Sequence, residues 1–314
     1  MSADAAPMGG PVTVIVPAYN AEEYLGAQLA ALMVQDPATV GEIIVADNGS
    51  TDRTHAVAAS AAKRDRRIRV VDAACRRGAA YARNAGVAAA SGEFFAFCDA
   101  DDVVAPDWAS RLYDCARATG AEFIAGHIDH DALYPYSVRR WPAAIHPVRR
   151  AGDRGGMPFA EGCNLLVSRH AFGAVDGFDE SLAFAAEDIE LSRRLQEAGF
   201  QLTSCPGAIV FYRDRTTLSA CIRQAYRYGR GSRMHLRSRR AHGPQPSRPV
   251  AVALGLLVRM PLVLGTRCRR VTWLRQFAFW LGYLRAGFGV ASTGPRPGLS
   301  GHAAPYGPAA AAAD

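Results

Sequence analysis

The chain has no pair of cysteines in a C-x-x-C spacing, although it contains seven cysteines in 314 residues. An odd number of scattered cysteines argues against a disulfide framework and against a cysteine-rich zinc site, and it favours a reducing cytoplasm. The first 20 residues have no basic group before a short apolar run that ends in proline. A secretory signal is therefore not expected.

Two common phosphate-binding loops are also missing. No G-x-G-x-x-G follows the first apolar strand, and the chain has no G-x-x-x-x-G-K-[ST]. Both motifs use glycines to bring the backbone close to phosphate groups at the start of a helix. Dinucleotide chemistry and P-loop chemistry are therefore not indicated.

Acidic residues are nearly absent from the last hundred positions. Residues 215–314 contain 16 arginines and a single acid, Asp314, whereas residues 1–214 contain 20 basic and 28 acidic groups. The first part carries a net charge of −8 and the second +15. The acidic charge of residues 1–214 is not typical of a protein that binds nucleic acid. An arginine-rich tail can bind phosphates of lipid headgroups or of nucleic acid, and we expect the lipid surface and no nucleic acid.

The tail lacks an uninterrupted apolar run. Arg259 and Pro261 divide VAVALGLLVRMPLVLGT (250–266), and only nine residues separate Arg275 from Arg285 in the second apolar segment (271–291). A helix that spans a bilayer needs about 20 apolar residues. The pattern therefore favours a tail that lies in the interface of an anionic membrane, with two short, distorted spans as the alternative.

Apolar, β-branched runs alternate with helical patterns over the first hundred residues. Strands are predicted at VTVIV (12–16), EIIVA (42–46), IRVVD (68–72) and EFFAFC (93–98). Helices are predicted over residues 21–35, 53–64 and 78–90. Asn20 and Glu23 read as a capping box for the first helix, and Asp52 as the N-cap of the second. The alternation predicts an α/β fold, a mostly parallel sheet with helices on both faces.

Polar side chains follow three of these strands, at the edge of the sheet where ligands bind in such folds. They are Tyr19 and Asn20, then Asp47 and Asn48, then Asp99, Asp101 and Asp102. Three carboxylates within four positions repel one another unless a cation lies between them. The pattern predicts a hard divalent cation, Mn²⁺ or Mg²⁺, whose remaining positions are left to substrate phosphates.

Six segments resemble the inverting family 2 glycosyltransferases of GT-A fold. They occur in order over roughly residues 11–230: VTVIVPAYNAEEYL (12–25), EIIVADNGSTD (42–52), GAAYARNAGVAAASGEFFAFCDADD (78–102), GCNLLVSRHAF (162–172), GFDESL (177–182) and AEDIELSRRLQEAGF (186–200). The resemblance implies a nucleotide-sugar donor, with UDP-sugar expected, and a D-x-D motif at Asp99 and Asp101.

By this resemblance, Asp99 would contact the ribose of the nucleotide and Asp101 would bind the metal. Asp99 would also contribute to the metal site. The implied nucleotide-binding residues are Pro17, Tyr19, Asn20, Asp47, Asn48, Arg83, Asp99, Arg227 and Arg230. Alternatives remain: Asp47 as a turn residue that caps the next helix, Arg83 as a solvated helical arginine, and Asp102 as a second-sphere ligand or an N-cap.

Inversion also needs a base that takes the proton of the acceptor hydroxyl. Glu187 and Asp188 lie at the start of a predicted helix and flank its apolar stripe on either side. Periodicity leaves both open, and acids at a helix N-terminus can simply complement its dipole. The resemblance favours Asp188.

Residues 127–160 have no regular periodicity, which is typical of a binding loop. Its candidate ligand groups are Arg139, Arg140, Trp141, Arg149 and Arg150. His127 and His130 have a metal-like spacing, but we expect a structural or surface role because no third ligand is evident.

We therefore expect a glycosyltransferase domain over residues 1–240 and a basic, apolar, helical tail over residues 241–314, whose last 23 residues are expected to be disordered. The predicted reaction moves a sugar to a hydroxyl of a lipid-linked or cell-envelope glycan, at the cytoplasmic side of the membrane. Two alternatives are a catalytically silent nucleotide-sugar-binding scaffold on the membrane and a sugar nucleotidyltransferase. The second lacks its glycine- and arginine-rich first loop.

Overall fold

The computed structural model describes residues 10–133, 157–182, 185–238 and 267–286. The strands are β1 (Val12–Ala18), β2 (Val40–Asp47), β3 (Ile68–Asp72), β4 (Phe94–Phe97), β5 (Val103–Val104), β6 (Phe123–Asp129), β7 (Leu165–Ser168) and β8 (Leu202–Phe211). The helices are α1 (Leu25–Met33), α2 (Thr54–Ala62), α3 (Ala79–Ala89), α4 (Trp108–Thr119), α5 (Arg169–Ala174), α6 (Glu187–Glu197), α7 (Leu218–Ser238) and α8 (Arg267–Arg285).

Several predictions concern residues outside these ranges. They are the ligand groups at residues 139–141, 149 and 150, the domain boundary at residue 240, the apolar segment 250–266 and the disorder predicted for the last 23 residues.

The eight strands form one sheet in the order β3-β2-β1-β4-β7-β6-β8-β5. The first four are mutually parallel, as the alternation of strands and helices predicts. Beyond β4 the sheet is mixed, because β7 is antiparallel to both β4 and β6, whereas β6 and β8 are parallel and β5 closes the edge antiparallel to β8. The prediction of a mostly parallel sheet is confirmed.

Helices cover both faces of the sheet, which the alternation of side chains along β1 shows. Val12, Val14 and Val16 belong to a core that includes α1, α2 and α4, whereas Ile15 belongs to a second core that includes α3, α5 and α6. Trp108 of α4 is fully buried in the first core, and its indole Nε1 donates to Asn164 Oδ1 at 2.9 Å. Burying each large apolar side chain contributes about 1.5–3 kcal/mol, so both faces stabilise the sheet.

The predicted capping box at Asn20 is wrong. Helix α1 begins at Leu25 and has no side-chain cap. Asn20 instead takes a left-handed backbone conformation (φ 48°), and its Oδ1 accepts a hydrogen bond from the Thr51 backbone at 2.8 Å. The asparagine therefore joins the β1–α1 loop to the β2–α2 loop, and its short polar side chain tolerates this conformation.

The predicted N-cap at Asp52 is displaced by one residue. Arg53 occupies the cap position of α2 and has no side-chain cap bond. Asp52 Oδ1 accepts from the Thr54 backbone N–H at 2.9 Å, and its Oδ2 accepts from Glu22 N at 3.1 Å. The carboxylate thus serves the first turn of α2 and also fixes the neighbouring loop.

Helices α7 and α8 cross at very short range because glycines lie at the crossing. A β-carbon added at Gly229 would overlap the carbonyl oxygen of Phe279, and one added at Gly282 would overlap that of Tyr226. Arg233 Nη1 also donates to the Tyr283 hydroxyl at 3.1 Å. Within the described ranges, no helix combines the length and the apolar character needed to cross a bilayer.

The helix crossing yields the first prediction. Gly229→Val is expected to lower the melting temperature by about 3–10 °C, because overpacking costs about 1–3 kcal/mol and the two backbones must separate. Scanning calorimetry measures the shift. Gly173→Ala is the matched control, since a β-carbon there meets nothing within 4 Å. Equal melting of Gly229→Val and wild type would contradict the close crossing.

Candidate active site

A cleft of about 800 Å³ opens at the carboxyl ends of β1 and β4. One side is formed by the ends of these strands and the start of α3, and the opposite side by the start of α6 and one face of α7. Predicted site residues that line it are Pro17, Tyr19, Asn20, Asn48, Arg83, Asp99, Asp101, Glu187, Asp188 and Arg227. Residues that are more than 100 positions apart in the chain therefore meet around one space.

Arg83 is the central cation of this cleft. It is only 3% exposed, and its guanidinium donates to Glu187 Oε1 and to Asp99 Oδ1, both at 2.8 Å. Burial disfavours its charged form, but the carboxylates of Asp99 and Glu187 outweigh that cost, and the pKa of Arg83 is raised. The alternative of a solvated helical arginine is therefore wrong.

The three carboxylates of the D-A-D-D segment have different environments. Burial raises the pKa of Asp99, which Arg83 partly offsets and Asp101 reinforces. Asp102 is 1% exposed, and burial together with the charges of Asp101 and Asp99 raises its pKa to about 9. Asp102 is therefore protonated at neutral pH, so the segment carries less negative charge than its composition indicates.

Asp102 is also held by distant backbone. Its Oδ1 accepts from the Arg213 N–H at 2.8 Å, whereas its Oδ2 is buried and has no partner among the described residues. The alternative of an N-cap is wrong, because α4 begins later and Asp107 occupies the cap position.

The donor set at this end of the cleft fits a divalent cation. One ligand atom from each of Asp99, Asp102 and Cys163 lies within 4.8 Å of the other two, and one Asp102 oxygen is buried without a partner among the described residues. Asp101 lines the same space, and its Oδ2 accepts from Arg215 Nη1 at 2.6 Å. Carboxylate oxygens are the ligands that Mg²⁺ and Mn²⁺ prefer.

Glu187 and Asp188 are the first two residues of α6, and they differ in their hydrogen-bond partners. The helix starts after Ala186, which has a left-handed backbone (φ 72°). Glu187 is paired with Arg83, whereas Asp188 accepts from two backbone N–H groups, Gly162 at 3.1 Å and Ile189 at 2.8 Å. Burial raises the pKa of Asp188, with the Gly162 N–H and Arg83 acting against the shift. Within the part of the chain that the structure describes, Asp188 is thus the one of these two acids that has no arginine contact.

The loops after β1 and β2 shape the rim of the cleft. Asn48 accepts from the Gly78 N–H at 2.9 Å and donates to the Arg76 carbonyl at 2.8 Å, so it fixes the loop before α3. Tyr19 is half exposed, and the Arg77 guanidinium lies 4.7 Å from its ring centre.

Two predicted nucleotide contacts do not line the cleft. Asp47 accepts from the Ser50 N–H at 3.0 Å within its turn, which agrees with the alternative of a turn residue. Arg230 is on α7 but outside the lining face.

Sequence reasoning missed most of the wall that α7 provides. Besides Arg227, the wall includes Ala220, Arg223, Gln224 and Tyr228, together with Tyr212 and Arg215 just before the helix. Gln224 donates to the hydroxyls of Tyr212 at 3.3 Å and Tyr228 at 3.1 Å. The helical spacing of these positions was a usable signal, because residues three, four, seven and eight apart share one helix face.

His130 has a structural role, as expected from its lack of a third ligand. Its Nδ1 lies 3.3 Å from Asp214 Oδ2, and its ring packs on Tyr212.

The family model described as Glycosyl transferase family 2 matches residues 13–175, which is more than half of the chain. The chain belongs to glycosyl transferase family 2. The family prediction is thereby confirmed, and the matched region includes Arg83 and the D-A-D-D segment. The base candidates and the α7 wall lie beyond it.

Curated relatives extend the similarity along the chain. The succinoglycan biosynthesis protein ExoA of Rhizobium meliloti is 27% identical over 312 residues, covering 96% of this chain and 89% of the relative. ExoO of the same organism, also a succinoglycan biosynthesis protein, is 34% identical over 162 residues, covering 52% of this chain and 45% of the relative.

Solved structures support the fold. The mannosyltransferase PcManGT from Pyrobaculum calidifontis, in complex with GDP-Man and Mn²⁺, has a TM-score of 0.64 at 20% identity, covering 91% of this chain and 90% of its own. S. aureus TarS 1-349, in complex with UDP, has a TM-score of 0.53 at 17% identity, covering 93% and 99%. These glycosyltransferase-like neighbours confirm the predicted GT-A fold.

The contacts of Arg83 yield the second prediction. Arg83→Met is expected to lower the free energy of unfolding at pH 7 by about 3–5 kcal/mol, because two buried carboxylates lose their shared cation. A loss at the lower end of this range is expected, because the Asp99 side chain is 32% exposed and water can partly solvate its charge. Urea unfolding measures the loss. Arg111→Gln, which removes an exposed arginine paired with Asp107, is the control and should change stability by less than about 1 kcal/mol.

The deficit of Arg83→Met should shrink as the pH falls from neutrality toward the ordinary carboxyl pKa values of 3.8 and 4.5. Burial raises the pKa values of Asp99 and Glu187 in the folded state, and Arg83 opposes both shifts. Without Arg83 the two pKa values rise further, so the folded variant takes up protons more readily and gains more stability on acidification than the wild type does. A deficit that grows at low pH would contradict this account.

Proposed function

We propose that this family 2 glycosyltransferase moves one sugar, with inversion, from a UDP-sugar to a hydroxyl of a lipid-linked or cell-envelope glycan. The observation that carries the proposal is the arrangement of the cleft. The D-x-D carboxylates and Asp188, which has no arginine partner among the described residues, line the same cleft, and Arg83 joins Asp99 to Glu187.

The nucleotide would lie along the rim formed by Pro17, Tyr19, Asn20 and Asn48, with Arg83 and Arg227 facing its phosphates. The UDP complex of TarS and the GDP-Man complex of PcManGT support a nucleoside-diphosphate donor in a fold of this kind. Asp47 and Arg230 stay predicted contacts of the nucleotide. Both lie outside the cleft lining, so contact would require a movement of the β2–α2 loop for Asp47 and of α7 or its side chain for Arg230.

Mn²⁺ or Mg²⁺ is the proposed cofactor. Asp101 and Asp99 would hold the cation, with the unpartnered oxygen of Asp102 beneath them. When bound, such a cation stabilises the negative charge that develops on the departing nucleoside diphosphate. The Mn²⁺ complex of PcManGT supports this choice of ion.

Asp188 is the proposed base. Inversion requires the acceptor hydroxyl to attack from the face opposite the leaving group, and a carboxylate must take its proton as the bond forms. Glu187 is held by Arg83, whereas the raised pKa of Asp188 makes its carboxylate a stronger proton acceptor than an exposed aspartate. Glu187 would then position Arg83 rather than act on the acceptor.

The relatives support the proposed acceptor, and helix α8 supports the proposed location. ExoA and ExoO are named for succinoglycan biosynthesis, which supports a polysaccharide product. Helix α8 exposes Arg269 and Arg270 near one end and Leu281 near the other. We therefore place the enzyme on the cytoplasmic side of a membrane, attached at its surface through basic and apolar groups.

A donor panel tests the reaction. Full-length protein with Mn²⁺, UDP-, GDP- and dTDP-sugars and a membrane extract should release nucleotide from one donor, and chelation with EDTA should stop the release. Asp188→Asn should lower kcat by about 10²–10⁴-fold while nucleotide affinity is kept, because only proton transfer is lost. Asp101→Ala should lose metal-dependent nucleotide binding.

Glu197→Gln is the control for Asp188→Asn, since Glu197 is an exposed acid at the far end of the same helix. It should leave kcat unchanged. Nucleotide binding without turnover of any donor would favour the silent scaffold, and undiminished kcat in Asp188→Asn would exclude this residue as the base.

Flotation with vesicles tests membrane attachment. The Arg269→Glu, Arg270→Glu double variant should bind anionic vesicles at least roughly 30-fold less than wild type, because each basic residue lost near the surface contributes about 1 kcal/mol and the new carboxylates are repelled. Arg111→Glu, an exposed charge reversal on α4, is the control. Wild-type protein that fails to float with anionic vesicles would refute the membrane proposal.

A further inference from the structure

The ion pair between Arg215 and Asp101 differs from the other arginine contacts of the cleft. Arg215 Nη1 donates to Asp101 Oδ2 at 2.6 Å, and both residues line the cleft. The Arg215 side chain is 37% exposed and that of Asp101 is 24% exposed. The Arg83 side chain, by comparison, is 4% exposed and bridges two acids. Arg215 can therefore leave its partner at lower cost than Arg83 can.

The backbone that carries Arg215 is fixed at several points. Arg213 donates through its backbone N–H to Asp102 Oδ1 and through Nε to the Asp101 carbonyl, both at 2.8 Å. Cys221 Sγ lies 3.3 Å from the Arg215 carbonyl oxygen. The main chain therefore stays beside the D-A-D-D segment while the Arg215 side chain can rotate within the cleft.

A guanidinium and a divalent cation are alternative partners for the same carboxylate. Asp101 is the proposed metal ligand, and a cation bound there would repel a guanidinium that stays at the same oxygen. The released guanidinium would lie in a cleft that a nucleoside diphosphate enters, and the planar fork of an arginine matches phosphate oxygens. Arg223 and Arg227 face the same space from α7.

We propose that Arg215 is an exchangeable internal cation, which occupies Asp101 in the free enzyme and moves to the donor diphosphate when metal and nucleotide bind. The inference rests on the proposed function and adds a positioning residue to it. In the free state Arg215 neutralises the Asp101 carboxylate, which would otherwise repel Asp99. In the loaded state its charge stabilises the diphosphate.

This exchange requires two binding constants to change in opposite directions when Arg215 loses its charge. Mn²⁺ alone should bind Arg215→Gln more tightly, because Asp101 has no competitor. The nucleoside diphosphate should bind the Mn²⁺-saturated variant more weakly, because a charged hydrogen-bond donor is lost. A purely structural role would weaken both together.

The experiment uses the full-length chain in two steps. Binding of Mn²⁺ without nucleotide is measured from the electron paramagnetic resonance signal of the free ion, and binding of UDP and of GDP at saturating Mn²⁺ is measured by calorimetry. Arg215→Gln should tighten Mn²⁺ binding roughly two- to five-fold, the range of partly exposed ion pairs. It should weaken the preferred nucleotide by about 10-fold or more.

Two further variants complete the design. Arg215→Lys keeps a charge that competes with Mn²⁺, so Mn²⁺ binding should equal wild type while the nucleotide binds at an intermediate strength. Arg111→Gln removes a remote arginine and should change neither constant. Melting curves establish that each variant is folded.

The outcomes separate the two proposals. If wild type binds neither Mn²⁺ nor UDP nor GDP, the proposed function fails and the inference fails with it. If wild type binds both, but Arg215→Gln shows unchanged or weaker Mn²⁺ binding, only the exchange is overturned. Tighter Mn²⁺ binding with unchanged nucleotide affinity would also overturn it, since the arginine would then not reach the diphosphate.

Discussion

The bridge from Arg83 to Asp99 and Glu187 is the interaction on which the rest of the site depends. It connects α3, the end of β4 and the start of α6, so the two sides of the cleft are held by one buried guanidinium. A buried cation with two carboxylate partners is stable only while both partners stay in place. The same contact occupies Glu187, whereas Asp188 has no arginine partner in the described ranges. The contacts of Arg83 therefore determine both the charge distribution of the cleft and which of the two acids is the proposed base.

The negative charges of the D-A-D-D segment are compensated in three different ways. Asp99 shares Arg83, Asp101 is paired with Arg215, and Asp102 is protonated at neutral pH because burial and its neighbours raise its pKa to about 9. The segment that follows β4 is thus stable as folded, yet it keeps an unpartnered carboxyl oxygen and an exposed ion pair that can be exchanged. Because the negative charges of this segment are only partly compensated, the segment is stable as folded and can still bind a cation.

The sequence predicted local structure well where a strand or helix is defined by its own residues. The four parallel strands, the two covered faces and the position of the D-A-D-D segment all follow from patterns within about 20 residues. Asn20 was misassigned because its hydrogen-bond partner, Thr51, is in another loop. Periodicity could not separate Glu187 from Asp188, since the difference is a contact with Arg83. The helical spacing of the α7 wall defines one face of that helix, but this face and Arg215 were missed because nothing local shows that they close the cleft.

The separation along the chain of the residues that meet in the cleft has a consequence for biosynthesis. Arg213 and Arg215 are 111 and 114 positions beyond Asp102 and Asp101, respectively. At ribosomal rates of about 5–20 residues per second, the acidic segment is made roughly 5–20 s before these arginines. During that interval the nascent chain has a half-built sheet in which Asp101 lacks the Arg215 guanidinium and Asp102 lacks the Arg213 backbone N–H. Emergence of the β8–α7 connection is therefore the event that completes the charge balance of the newborn enzyme.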